Sequence, residues 1–100
     1  MSKQEQSLRS KLEAEIGPAH WKVIRPHFLR GAIIIVSPEL DLVDVAVKVA
    51  EDDTNAIKIW IEEGKLTKPF PEDAKRWEEE KEEPQALVVE PFVLIQDPTK

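Results

Sequence analysis

Cysteine is absent from the 100-residue sequence, and only three glycines occur, far apart along the chain. Without cysteine the protein has no disulfide, no thiolate ligand for a metal and no cysteine nucleophile. Phosphate-binding loops need several glycines close together, so scattered glycines exclude a loop of that kind. With neither feature present, we expect the protein to bind no cofactor.

Long apolar runs are also missing. The longest run, from Ala32 to Val36, has five residues, whereas a membrane-spanning helix needs about 20. The first residues include Gln4, Glu5 and Gln6, which do not form the apolar core of a signal peptide. We therefore expect a cytoplasmic protein with no membrane partner.

Charged residues, by contrast, are abundant. They make up 34% of the chain against 41% apolar residues, and the net charge is −6. The apolar residues are clustered, which is typical of a packed domain, and 100 residues suit one core. We therefore predict a single domain over residues 1–100. The acidic balance counts against nucleic acid as a partner, because Lys and Arg supply the phosphate contacts in such complexes.

A helix is predicted over residues 3–16 at the N-terminus. Leu8, Leu12 and Ile16 recur there every four residues and form one apolar stripe. At the other end, residues 97–100 are expected to form a disordered tail.

Proline decides the prediction for the second helix. Pro18 suits the first turn of a helix whose inner face includes Trp21. Pro26 disfavours helical geometry at Arg25, so we expect a break or a kink there. Gly31 is expected to end this unit.

Three further helices are predicted in the middle of the chain. Residues 42–50 are apolar on nearly every side, which is typical of the most buried helix in a domain. The next helix has Ile57, Trp60 and Ile61 as its inward stripe, and an exposed helix follows over residues 72–82.

Two stretches have the composition of strands. Residues 32–36 are β-branched and continuously apolar, which predicts a strand buried on both faces. Residues 86–96 form a second extended stretch, in which Pro91 marks a bulge, a bend or an edge position. We therefore predict an α+β fold with about five helices packed around a small two-stranded sheet. The order of elements also suits a winged-helix-like arrangement.

A two-stranded sheet has free edges with unpaired N–H and C=O groups. Residues 32–36 contain no charge and no proline that would protect such an edge. This predicts a homodimer through a strand edge, with a four-stranded sheet across a two-fold axis. The alternative is that the N-terminal helix or residues 65–71 cover the edge within one chain.

One candidate polar site consists of His20, His27, Asp41 and Asp44. Imidazole and carboxylate groups serve as metal ligands and as acid–base groups. Two histidines seven residues apart cannot share one ion unless the chain bends back. The other interpretation is that they are polar tips on a packed helix. We assign no catalytic residue and no metal ligand.

Four segments of the chain form a set of spaced signatures. They read W-K-V-I-R-P-H-F-L-R-G-A-I-I-I-V at 21–36, S-P-E-L-D-L-V-D-V-A-V-K-V-A-E-D-D at 37–53, W-I-E-E-G-K-L-T-K-P at 60–69 and E-P-F-V-L-I-Q at 90–96. This set resembles a small bacterial family known as domain of unknown function 2288. The resemblance covers nearly the whole chain and implies a bacterial, cytoplasmic protein with no family catalytic residues to carry over.

Residues 43–66 have a second resemblance. A buried helix, an Asp-Asp-Thr-Asn junction and the run A-I-K-I-W-I-E-E-G-K-L are similar to the helix-turn-helix of excisionase-type DNA-binding domains. The outward residues of the second helix are Asn55, Lys58, Glu62 and Glu63. Base and phosphate contacts call mainly for Arg, Lys, Asn or Gln, so the glutamates argue against DNA binding. Asn55, Lys58 and Glu62 are instead a candidate helix face for a protein partner.

The function predicted from these observations is a non-catalytic interaction or regulatory module that self-associates and has an unknown protein partner. One alternative is a nucleic-acid-associated protein with a winged-helix-like fold. A small enzyme of unknown type is a second alternative. It ranks last, because no acid–base or nucleophile constellation emerges from the sequence.

Overall fold

Five helices and five strands follow one another in the residues that the structure, a computed structural model, describes, namely 3–79 and 83–96. Side chains are described from Leu8 onward. The helices are α1 (Lys3–Glu15), α2 (Trp21–Leu29), α3 (Leu42–Ala50), α4 (Thr54–Glu62) and α5 (Pro71–Glu79). The strands are β1 (Gly17–Pro18), β2 (Ile33–Val36), β3 (Leu66–Thr67), β4 (Gln85–Val89) and β5 (Phe92–Gln96). The tail predicted at 97–100 lies outside the described residues.

The strands form one mixed sheet of five strands in the order β1-β4-β5-β2-β3. β2 runs parallel to β5, and the other neighbours are antiparallel. The α+β class therefore agrees with the prediction, but the small two-stranded sheet is wrong. Residues 86–96 are not one strand, because the chain reverses at Glu90 and Pro91 and forms a β4–β5 hairpin.

The position of β2 corrects a second expectation. The strand predicted at 32–36 is not an edge, since β5 pairs with it along Ile33–Ile35 and β3 pairs with Ile35 and Val36. The edges of the sheet are β1 and β3, each only two residues long. The premise of a free edge on this strand is therefore wrong.

Both faces of the sheet are covered, so the domain has three layers. On one face α1, α3 and α4 pack over a core that includes Val36, Leu87 and Leu94. On the other face α2 and α5 pack over a core that includes Ile33 and Ile95. The continuously apolar sequence of β2 follows from this arrangement, and its predicted burial on both faces is confirmed. A central sheet between two helical layers also differs from a winged helix.

The helix predicted at residues 42–50 is confirmed as α3, and its bounds agree with the prediction. Asp41 caps its N-terminus, because Oδ1 of Asp41 accepts hydrogen bonds from the backbone N–H of Val43 and of Asp44. Ala46 in the middle of α3 is completely buried. α3 is thus the main cover of one face of the sheet.

The second helix differs from its prediction at both the start and the middle. Pro18 belongs to β1, and α2 begins at Trp21. α2 runs through Pro26 without a break at Arg25. We attribute this continuity to packing, since Ile24 on the inner face is buried against the sheet.

Among the described residues, no helix is long and apolar enough to cross a membrane.

Candidate interaction surface

The structure places the two candidate histidines in contacts within or next to α2. His20 caps the helix, because its Nδ1 accepts a hydrogen bond of 3.1 Å from the backbone N–H of Lys22. Nδ1 of His27 lies 2.7 Å from the guanidinium of Arg30. Each imidazole therefore has a local partner near its own position in the chain.

The two candidate aspartates share a partner on α1. Arg9 lies 2.6 Å from Oδ1 of Asp44 and 4.0 Å from Oδ2 of Asp41. The hydrogen bond with Asp44 raises the pKa of the Arg9 guanidinium above its ordinary value. These side chains are about half exposed, so solvent screens the ion pairs and their contribution to stability is small. The cluster ties α1 to the start of α3.

The described part of the chain has no group of three His, Asp or Glu side chains placed to hold a metal ion. His20 and His27 make no hydrogen bond or ion pair with Asp41 or Asp44 among the described contacts. The four predicted site residues thus divide into two sets with different partners. The surface with the clearest unexplained feature lies elsewhere, on α4.

α4 is apolar, yet none of its residues is buried. Five of its nine residues, in the run Thr54–Glu62, are apolar: Ala56, Ile57, Ile59, Trp60 and Ile61. The predicted inward stripe is only partly correct. Ile57 and Trp60 are half-buried against the α3 side of the core, whereas Ile61 is 56% exposed. Ile59 is 53% exposed.

Asn55, Lys58 and Glu62 lie on the outer face of α4, and all three are exposed. That they form a helix face for a partner stays a prediction. Lys58 and Glu62 are four residues apart and therefore neighbours on this face. Ile59 and Ile61 border the same face on opposite sides, because a helix turns about 100° per residue. The result is a charged strip with an exposed isoleucine on each side.

A groove of about 400 Å³ opens next to α4. Its wall residues come from α3, α4, β2, β5 and the connections around them. They are Ile34, Val49, Asp52, Thr54, Ile57, Lys58, Ile61, Lys68 and Phe92. Five of these nine side chains are aliphatic or aromatic, and the charged ones are Asp52, Lys58 and Lys68.

Several residues of this groove could not be identified from the sequence. Ile34 and Phe92 both lie on the face of the sheet that α3 covers, but 58 positions separate them in the chain. They come together because β2 and β5 are parallel neighbours, with Ile34 opposite Leu94. Helical spacing in the sequence identified only residues of α4, among them Lys58 on the outer face.

Three comparisons with known proteins bear on this fold. The model of the family described as "Protein of unknown function (DUF2288)" matches residues 7–97. The NMR solution structure of PA1075 from Pseudomonas aeruginosa is similar to this chain at 36% identity and a TM-score of 0.78. The match covers 100% of this chain and 93% of that one. No curated protein matches the chain.

Proposed function

The chain belongs to the DUF2288 family, as its signatures predicted, and we propose that it is a non-catalytic interaction module that self-associates through α4. The observation that carries this proposal is an apolar helix with no buried residue. Amphipathic helices in a domain normally bury their apolar stripe. A helix that leaves two isoleucines more than half exposed has apolar surface for a partner.

A second copy of the chain fits this surface because α4 is complementary to itself. In an antiparallel pair of α4 helices centred on residue 60, Lys58 lies beside the partner's Glu62, and Glu62 beside the partner's Lys58. Such reciprocal contacts are required of a two-fold interface. In the same pairing, Ile61 of one copy meets the partner's Ile61, and the Ile59 side chains meet on the other side.

The contact is expected to be weak and dependent on concentration. Each isoleucine is already about half buried, so its remaining burial contributes roughly 1 kcal/mol. The free energy gained from four isoleucines and two ion pairs must exceed the cost of the translational and rotational freedom that is lost on association, which is at least about 4 kcal/mol. The surplus over that cost is at most about 2 kcal/mol, so we place the dissociation constant in the millimolar range or above.

The strand edges support self-association less well than α4 does. β4 lies between β1 and β5, and the carbonyl of Pro84 accepts a hydrogen bond from the N–H of Ala19, next to β1. Main-chain groups alternate in direction along a strand, so the N–H and C=O of every second residue after Pro84, including Val88, also face away from β5. A two-fold pairing at Val88 would place the partner's Glu90 opposite Ala86. Gly17 of the same chain already occupies that position.

The opposite edge of the sheet is also poorly suited to pairing. β3 has two residues, and Lys68 and Pro69 follow it directly. A charge and a proline next to an edge are common devices that prevent strand pairing. The contact that we expected along a strand is for these reasons assigned to α4.

Light scattering tests the proposal with a matched pair of variants. Ile59→Lys introduces a charge on α4, and Val23→Lys introduces the same charge at a 64% exposed position on α2. We expect the average mass of the wild type to rise measurably above the 11.4 kDa of one chain as the concentration increases from about 0.1 to about 5 mM.

The two variants should then differ. Val23→Lys should associate like the wild type, whereas Ile59→Lys should keep the mass of one chain throughout. Since both positions are exposed, neither change should alter stability by more than about 0.5 kcal/mol. A wild-type mass of one chain at every concentration, or equal loss in both variants, would contradict the proposal.

A further inference from the structure

We infer that the groove beside α4 binds a small amphiphilic carboxylate, with an aliphatic chain of about ten carbons. Its volume of about 400 Å³ falls within the range of small-molecule sites, about 300–1,000 Å³. A methylene group takes up about as much space as a water molecule, about 30 Å³, so the groove has room for about a dozen.

The floor of the groove suits an aliphatic chain. Ile34 and Phe92 come from the sheet, and Val49 comes from the last turn of α3. Ile57 and Ile61 form the wall on α4. Four of these five residues are half-buried, and Ile61 is exposed. Their apolar surface is accessible within the chain and would be removed from water by such a ligand.

The charges at the rim select a carboxylate rather than an amine or an alcohol. Lys58 and Lys68 line the groove together with a single acidic residue, Asp52. Among the described residues, Lys58 has no carboxylate within ion-pair distance. Nζ of Lys68 donates a hydrogen bond of 2.8 Å to the carbonyl of Gly31, which fixes this ammonium beside the groove. Two cations against one anion favour a negatively charged head group.

The local sequence explains why the groove stays open. Asp52 adopts a left-handed conformation, with φ of 56°, in the short connection between α3 and α4. The cap of α4 follows directly, because Oδ1 of Asp53 accepts a hydrogen bond of 3.1 Å from the N–H of Ala56. This tight turn makes α4 leave α3 over the first residues of β2 and β5, where Ile34 and Phe92 are only half-covered.

Lys58 and Ile61 belong both to the groove and to the self-association surface proposed above, so the ligand is tested at a protein concentration at which one chain predominates. Ile34, Val49, Phe92 and Lys68 lie outside α4 and report on the ligand alone. The test is an NMR titration of the full chain with decanoate, decanol and decylamine, which share one tail and differ in the head group. We expect decanoate to shift the backbone amide signals of residues 34, 49, 57, 61 and 92 and to bind several-fold more tightly than the other two.

Variants at Lys68 test the role of charge. Lys68→Met should weaken decanoate binding, and Lys68→Glu should weaken it further, by roughly five- to tenfold. Lys75→Glu makes the same charge reversal on α5, on the other face of the sheet, and should leave the affinity unchanged. Retained dispersion of the amide signals shows that each variant is folded.

Three results would overturn the inference. The first is that decanoate leaves the groove signals unmoved at millimolar concentration. The second is that decanol or decylamine binds as tightly as decanoate, or that Lys68→Glu binds like the wild type. The third is that an acidic amphipathic peptide saturates the groove signals while decanoate does not, which would assign the groove to a protein segment.

Discussion

Replacement of Ala46 by Asp tests the central place of α3 in the fold. Ala46 has no solvent exposure and belongs to the core beneath α1, α3 and α4. An aspartate there must either bury an unpaired carboxylate or bind a proton and bury a polar acid. Burial of a polar group without a partner costs roughly 2–7 kcal/mol, and the larger side chain adds strain in a packed core.

The expected loss is a large share of the total stability. A domain of this size has a free energy of unfolding of roughly 5–15 kcal/mol. We expect Ala46→Asp to lower it by roughly 3–5 kcal/mol. Urea denaturation followed by tryptophan fluorescence measures the change, because Trp77 is buried and Trp21 and Trp60 are half-buried.

Ala50→Asp is the matched control, since Ala50 is the exposed last residue of the same helix. It makes the same chemical change without burial, and a carboxylate at a helix C-terminus costs only about 0.3–1 kcal/mol. If the two variants differ by less than about 1 kcal/mol, the burial argument for α3 is refuted.

Two further predictions concern the sheet and nucleic acid. Val89→Pro removes an N–H that faces β5 and should lower the free energy of unfolding by at least about 3 kcal/mol. Val88→Pro removes an N–H that faces away from β5 and should lower it by less than about 1 kcal/mol. Equal losses of stability in urea denaturation would refute the assigned orientation of β4. The acidic chain, with Glu62 and Glu63 near the end of α4, should not bind mixed-sequence duplex DNA at physiological salt. Saturable binding tighter than about 1 μM in a titration would show that this prediction is wrong.

The elements with strong local patterns were predictable from the sequence. α3 has apolar residues on nearly every side and an aspartate at its cap, and its bounds agree with the prediction. The β-branched run of β2 has side chains in both cores, as expected for a strand covered on two faces. In both cases the pattern reflects burial, which the hydrophobic effect imposes locally.

The size of the sheet was not predictable in the same way. β1 and β3 have two residues each, too few for any alternation of apolar and polar side chains. The β4–β5 turn has Glu90 and Pro91 in place of the Asn-Gly or Asp-Gly pairs that signal a hairpin. Pro91 was predicted to mark a bulge, a bend or an edge position, but this signal did not distinguish a bend within one strand from a full reversal of the chain.

The candidate surface was predicted in part. The charged face of α4 follows from helical spacing, but Ile61 has the same spacing as a core residue and is exposed. A helical period identifies an apolar stripe without telling whether the chain itself covers it. The groove depends on the pairing of β2 with β5, which brings together residues far apart in the sequence.

The most direct test of self-association through α4 is a charge-exchange cycle at Lys58 and Glu62, measured by sedimentation equilibrium. In the antiparallel pairing, Lys58→Glu and Glu62→Lys each place like charges opposite each other at two positions. Each single variant should therefore weaken the dimer about tenfold or more. The double variant restores opposite charges at both positions and should associate like the wild type. A double variant that dissociates as readily as the single variants would contradict the pairing centred on residue 60.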